Sequence, residues 1–109
     1  LFRHIGAVVA AIEALAEPQR RKILDLLVTG ERVVGDLAGE LGMAQPSVSK
    51  HLRVLKDAGL VRVRPDAQRR WYRVEVGPLV ELDAWLEPYR RVWTDRLDDL
   101  ERHLDEMED

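Results

Sequence analysis

Two apolar stripes of helical period, Val34-Leu37-Ala38-Leu41 and Val48-Leu52-Leu55, stand either side of the short run Gly42 to Ser47. Only a helix brings positions i, i+3, i+4 and i+7 onto one face, so each stripe demands one. Gly42 supplies a tight turn between them, and Ala38 is small where the two helices must cross closely. Met43 packs beneath the turn, and Val48 anchors the second helix on the first. That second helix starts near Gln45 or Pro46, since proline suits a first turn, where its missing N–H had no partner. Two helices joined through a short glycine turn form a helix-turn-helix, predicted over residues 34–58.

The flanks extend the motif. Ile5, Val8, Val9, Ile12 and Leu15 predict a first helix. Pro18 opens a second, with Ile23, Leu24, Leu27 and Val28 as its apolar face and Gly30 as a left-handed stop. Beyond Gly59, the runs Leu60–Arg64 and Trp71–Val76 are rich in Val, Trp and Tyr and read as strands, joined by a charged loop, Pro65–Arg70. A hairpin with a basic tip directly behind a helix-turn-helix makes a wing, over residues 60–76. Leu79, Leu82, Leu86, Tyr89, Trp93, Leu97, Leu100, Leu104 and Met107 recur at steps of three and four, a stripe suited to helix pairing. Pro88 predicts a break in it, into a short helix and a long one. The expected fold is α+β and mostly helical: a winged helix-turn-helix with a two-stranded hairpin and terminal dimerisation helices at 1–16 and 78–109.

The 109 residues fit a single domain, and a core of that size gains from dimerisation. The absence of cysteine removes disulfides, iron–sulfur clusters, thiolate zinc sites and cysteine nucleophiles together. No apolar run approaches the roughly 20 residues of a membrane helix, and Gly6–Ile12 lacks the basic flank of a signal peptide. A cytoplasmic protein with no membrane partner is expected. The net charge of −3 hides a segregation: residues 44–76 carry 8 basic and 3 acidic side chains, residues 95–109 carry 2 basic and 8 acidic. Local charge decides what docks where, so the middle suits a polyanion and the tail repels one.

Ala14-Leu15-Ala16-Glu17-Pro18-Gln19-Arg20-Arg21-Lys22-Ile23-Leu24 is similar to the opening of ArsR/SmtB-type bacterial repressors. Gly42-Met43-Ala44-Gln45-Pro46-Ser47-Val48-Ser49-Lys50-His51-Leu52-Arg53-Val54-Leu55 resembles that family's recognition helix, and Lys56-Asp57-Ala58-Gly59-Leu60-Val61 its exit into the wing. The resemblance covers residues 5–76, and Trp85 to Trp93 resembles a branch without a recognised metal site. It implies a homodimeric transcriptional repressor on double-stranded DNA, with one helix per subunit in the major groove and the wing on backbone or minor groove. Two wings on a two-fold axis imply a palindromic operator with half-sites about 34–36 Å apart. Val33 and Gly35 stand where many relatives place metal-sensing cysteines, which excludes soft-metal sensing there. Relatives also bind metal through Asp, His and Glu of the last helix; the nearest candidates, Asp99, His103 and Glu106, offer one histidine and read as a solvated face. Neither a metal nor a cofactor is expected.

Side-chain chemistry supports the same reading. With Val48, Leu52 and Leu55 inward, Pro46, Ser47, Lys50, Arg53 and Val54 point outward, with Gln45 and His51 at the flanks. Glutamine pairs with adenine, serine with several base edges, and lysine with guanine or phosphate. The candidate DNA-binding residues are Gln45, Ser47, Ser49, Lys50, His51 and Arg53 on the recognition helix (45–58), with Gln68, Arg69 and Arg70 at the wing. Arg69 or Arg70 suits a narrow minor groove, and Arg62, Arg64 and Arg73 can neutralise phosphates around it. Arg20, Arg21 and Lys22 read as a solvated face. Glu17, Val33 and Ala44 occupy places where relatives often have a capping Ser, Thr or Asp. Ser47 and His51 lie one turn apart, but no carboxylate is placed to orient the histidine and no glycine-rich oxyanion loop follows, so no enzyme is expected.

Phe2, Ile5, Val8, Val9 and Ile12, with Trp85, Tyr89, Trp93, Leu97 and Leu100, exceed what one small core needs and are expected at a dimer interface. Two other readings stay open. One is a winged-helix module whose wing face binds another protein. The other is a small-molecule sensor whose aromatic pocket, lined by Trp85, Tyr89 and Trp93 at the dimer interface, takes an unidentified inducer.

Overall fold

The computed structural model describes residues 5–108. Helices α1 (Ile5–Leu15), α2 (Pro18–Val28), α3 (Val34–Leu41) and α4 (Gln45–Asp57) precede strands β1 (Val61–Asp66) and β2 (Arg69–Val74) and a last helix, α5 (Gly77–Glu108). The predicted stripes converge on one core: Ala11 and Ala14 of α1, Ile23, Leu24 and Leu27 of α2, Leu37 and Ala38 of α3, and Val48, Leu52 and Leu55 of α4, closed by Leu60 and Val61. Gly42 ends α3 in the left-handed region (φ 65°), which lets its own N–H and that of Met43 both reach the Ala38 carbonyl. The arrangement is a winged helix-turn-helix, mostly helical, as the spacing predicts.

Several local expectations need correction. The wing turn is not the loop Pro65–Arg70. The antiparallel register runs from Val61↔Val74 to Asp66↔Arg69, leaving only Ala67-Gln68 as the turn, with Ala67 at φ 55°. Pro65 is tolerated in β1 because β1 is an edge strand, whose outer side has no strand to pair with. Thr29 is the C-cap of α2, its hydroxyl donating to the Leu26 carbonyl at 2.6 Å, and Gly30 follows it with the positive φ, 153°, that ends the helix.

Arg20 and Arg21 are not a solvated face. Arg20 Nε donates to the Ala14 carbonyl (2.6 Å), Arg20 Nη2 to that of Glu13 (3.2 Å) and Arg21 Nη1 to that of Leu15 (2.5 Å). These carbonyls end α1, where only that of Glu13 accepts a backbone N–H, from Ala16 at 3.3 Å, so α2 supplies most of the cap that α1 lacks. Glu17 also departs from expectation by capping α2, accepting from the Gln19 N–H at 3.5 Å, whereas Val33 and Ala44 make no side-chain cap.

α5 runs unbroken through Pro88. Proline removes one bond, that to the Ala84 carbonyl, and both residues are exposed, so water can take that carbonyl. Arg90 then staples the weakened turn: Nη2 donates to the Asp83 carbonyl at 2.7 Å, Nη1 to the Asp83 carboxylate at 2.5 Å, and the guanidinium pairs with Glu87 at 2.8 Å. No residue of α5 is fully buried, and beyond Arg90 every described position is exposed.

Candidate nucleic-acid interface

The recognition helix follows from its buried stripe. Val48, Leu52 and Leu55 are at most 1% exposed, which fixes the rotation of α4 and turns Gln45, Pro46, Ser47, Ser49, Lys50, Arg53 and Val54 outward. No side chain caps the start of α4, and the Ser47 and Val48 N–H groups bond back to the Ala44 carbonyl. His51 is only half-exposed, and its Nε2 lies 3.2 Å from Gln19 Oε1, a contact that braces α4 against α2.

The wing divides its arginines into two sets. Arg62 pairs with Glu75 (2.7 Å), and Arg64 with Glu31 (2.8 Å), so these two hold structure rather than stand free, contrary to expectation. Arg69, Arg70 and Arg73 are exposed and make no ion pair with another described residue, and the same holds for Lys50, Arg53 and Lys56 of α4. Gln68, Arg69 and Arg70 at the tip share a cleft with Val33 to Asp36 at the start of α3. Six of the unpaired cations thus lie on α4 and the wing, and Arg53, Lys56 and Arg70 share one cleft between them, as a polyanion requires.

A contact missed in the sequence sets the wing's attitude. Arg32 and Tyr72 exchange backbone hydrogen bonds of 3.1 and 2.9 Å, adding one residue of the α2–α3 turn to the sheet beside β2. The Arg32 side chain is itself fixed, by Glu40 (2.7 Å), the Leu26 and Gly30 carbonyls (2.7 Å each) and the Thr29 hydroxyl (2.9 Å). The one signal in the sequence was a lone arginine beside two valines, too short to read as a strand.

The expected dimer residues separate as well. Val8 is 7% exposed and lines the base of the apolar groove between α1 and α5. Ile5, Val9, Ile12, Trp85, Tyr89, Trp93, Leu97 and Leu100 all lie between 43% and 60% exposed, and Phe2 lies outside the described residues. Ile5, Val9, Ile12, Val80 and Trp85 line an apolar groove of 670 Å³ between α1 and α5. Tyr89 packs tilted against Trp85 (centroids 5.0 Å apart), and within the single subunit Trp85 lines the groove while Tyr89 and Trp93 lie outside it. Among the described residues no three His, Asp or Glu side chains converge, and Asp99 is paired with Arg102. No described helix is long and apolar enough to cross a membrane.

Comparison with known proteins agrees with this geometry. Residues 17–63 match the profile described as bacterial regulatory protein, arsR family. An HTH-type transcriptional regulator of Mycobacterium tuberculosis is 43% identical over 84 residues, covering 77% of this chain and 76% of the relative. The transcriptional repressor SdpR of Bacillus subtilis is 35% identical over 74 residues, covering 68% and 82%. The solution structure of the homodimeric winged helix-turn-helix DNA-binding domain of a possible ArsR-family transcriptional regulator from Mycobacterium bovis superposes with a TM-score of 0.65 at 34% identity, over 80% of this chain and 81% of that one. From its fold, its recognition-helix motif and these relatives, the chain belongs to the arsR family of bacterial regulatory proteins.

Proposed function

We propose that this protein is a homodimeric transcriptional repressor that occupies a palindromic operator in double-stranded DNA, acts in the cytoplasm, and senses no metal. The observation that carries the reading is the exposed, unpaired face of α4 and the wing: Gln45, Ser47, Ser49, Lys50 and Arg53 with Gln68, Arg69 and Arg70. α4 enters the major groove, Gln45 and Ser47 meet base edges, and the wing arginines hold phosphate or the minor groove. His51 acts from the flank, where Gln19 holds its ring.

Dimerisation is supported by surface that a lone subunit leaves wet. The last turns of α5 leave Leu97, Leu100, Leu104 and Met107 each at least half exposed, and a helix of that length without packing is marginal in water. Pairing Ile5, Val9 and Ile12 and the α5 stripe across a two-fold axis covers them. The acidic tail then points away from the duplex, as Coulomb repulsion requires. The groove beside Trp85 supports one addition, a small apolar inducer, detected as a ligand-dependent change in tryptophan fluorescence with loss of DNA affinity.

The test is fluorescence anisotropy on the gene's own upstream duplex and on scrambled DNA across a salt series. Specific binding that weakens steeply with salt is expected. Gln45→Ala should lose selectivity, and Arg70→Ala should lose affinity on both duplexes. Equal, purely electrostatic binding to both DNAs would overturn the operator reading and move the search to protein partners of the wing.

A further inference from the structure

We propose that Arg53, Lys56 and Arg70, with the hydroxyls of Ser49 and Tyr72, form one phosphate-holding cleft between the recognition helix and the wing. Ser49, Arg53 and Lys56 are spaced i, i+4 and i+7, so they share the flank of α4 that faces β2. Arg70 and Tyr72 are alternate residues of β2, so they project from one face of the hairpin. Together they line a cleft of 500 Å³, with the buried Leu52 and the exposed Asp57 completing its wall.

Three cations and one carboxylate leave the cleft at about +2, and no described carboxylate is within ion-pair distance of Arg53, Lys56 or Arg70. Two neighbouring wing arginines, Arg62 and Arg64, are neutralised by Glu75 and Glu31, whereas these three converge on one cleft without a partner. Nor is Lys56 needed to cap α4. The Val54, Leu55 and Lys56 carbonyls already accept the N–H groups of Ala58, Leu60 and Gly59. Like charges gathered from two elements repel one another until an anion lies between them. Guanidinium, ammonium and hydroxyl donors together match a tetrahedral oxyanion rather than a planar carboxylate alone. The Tyr72 backbone is pinned to Arg32, so the β2 wall is in place before anything binds.

The phosphate comes either from the DNA backbone, as a phosphodiester at the groove edge, or from a free phosphorylated small molecule. The first source rests on the DNA-binding reading above; the second does not. The experiment measures duplex affinity against salt, and separately titrates inorganic pyrophosphate by calorimetry at constant ionic strength. The proteins are the full chain, Lys56→Ala, Arg70→Ala, Tyr72→Phe and a distant charge control, Arg96→Ala. For a backbone phosphate, Lys56→Ala and Arg70→Ala each lower the slope of log K against log salt by about 0.9, equally on upstream and scrambled DNA, while Arg96→Ala does not. Tyr72→Phe weakens binding with the slope kept. For a free anion, pyrophosphate binds the full chain and Arg96→Ala but not Lys56→Ala or Arg70→Ala. If that occurs and no duplex binds, the DNA-binding reading fails and the cleft stands. If salt slopes and pyrophosphate binding are the same in all the proteins, the cleft proposal is overturned.

Discussion

Arg64 Nη2 lies 2.8 Å from Glu31 Oε2, and the same guanidinium stands 5.9 Å from the centroid of the Trp71 ring. The ion pair ties β1 to the residue just before Arg32, which itself bridges Tyr72 of β2, so both strands of the wing are anchored to the α2–α3 turn. The hydrogen bond from Arg64 holds the Glu31 carboxyl below its ordinary pKa. A carboxyl with a lowered pKa stabilises the fold above the unfolded glutamate range, and that contribution disappears as pH falls through the folded value. Glu31→Gln should therefore melt slightly below the wild type near neutral pH, with the two curves merging in acid. The pair is solvent-exposed, so the difference is small. Thermal melts followed by circular dichroism from about pH 7 to about pH 3 check it, and a gap that persists in acid would assign the effect to packing instead.

Gly42→Ala isolates a conformational cost. A methyl group there meets no atom within 4 Å, yet φ is 65°. The left-handed region costs a residue with a side chain about 1–2 kcal/mol, so a loss of that size in urea unfolding is expected, with the fold retained.

Ala44→Ser should work the other way. Ala44 has the extended backbone of an N-cap (φ −68°, ψ 139°) and no side-chain oxygen. A serine there can accept an N–H of the first turn and is expected to stabilise by about 1 kcal/mol, read as a higher melting temperature. No shift would mean that these N–H groups are already satisfied through the Ala44 carbonyl and water.

Leu97→Glu combined with Leu100→Glu tests the α5 stripe. Both positions are more than half exposed in the subunit, so the body should fold unchanged. Sedimentation should show the change from dimer to monomer, with operator affinity falling accordingly. A variant that remains dimeric would place the interface on α1 and the start of α5 alone.

The helix-turn-helix was legible because its information is local and periodic. Val34, Leu37, Ala38, Leu41, Val48, Leu52 and Leu55 each fall on a helical period, and Gly42 and Pro46 punctuate it. The outward residues of α4 follow from the inward ones, since rotation about a helix axis leaves no freedom once one face is buried. Pro88 misled for a physical reason. A proline signals a lost hydrogen bond, but repair comes from Arg90 reaching back to Asp83, a side-chain geometry that composition does not reveal. The hairpin turn is narrower than its charge suggests for a related reason: charged residues favour loop in a sequence reading, yet an exposed edge strand accepts them readily.

From the sequence alone follow the order of elements, the buried stripes, the basic middle and acidic tail, and the family. These depend on residues near one another in the chain, where periodicity and motif spacing are direct records of geometry. Only the tertiary structure decided which arginines are free and which are spent. Arg20 and Arg21 cap α1 and Arg62 and Arg64 meet Glu75 and Glu31, while Arg53, Lys56 and Arg70 gather unpaired around one cleft. A charge has the same letter in every role. Its role is set by what lies within a few ångströms, and for Arg64 that neighbour is 33 residues away in the chain.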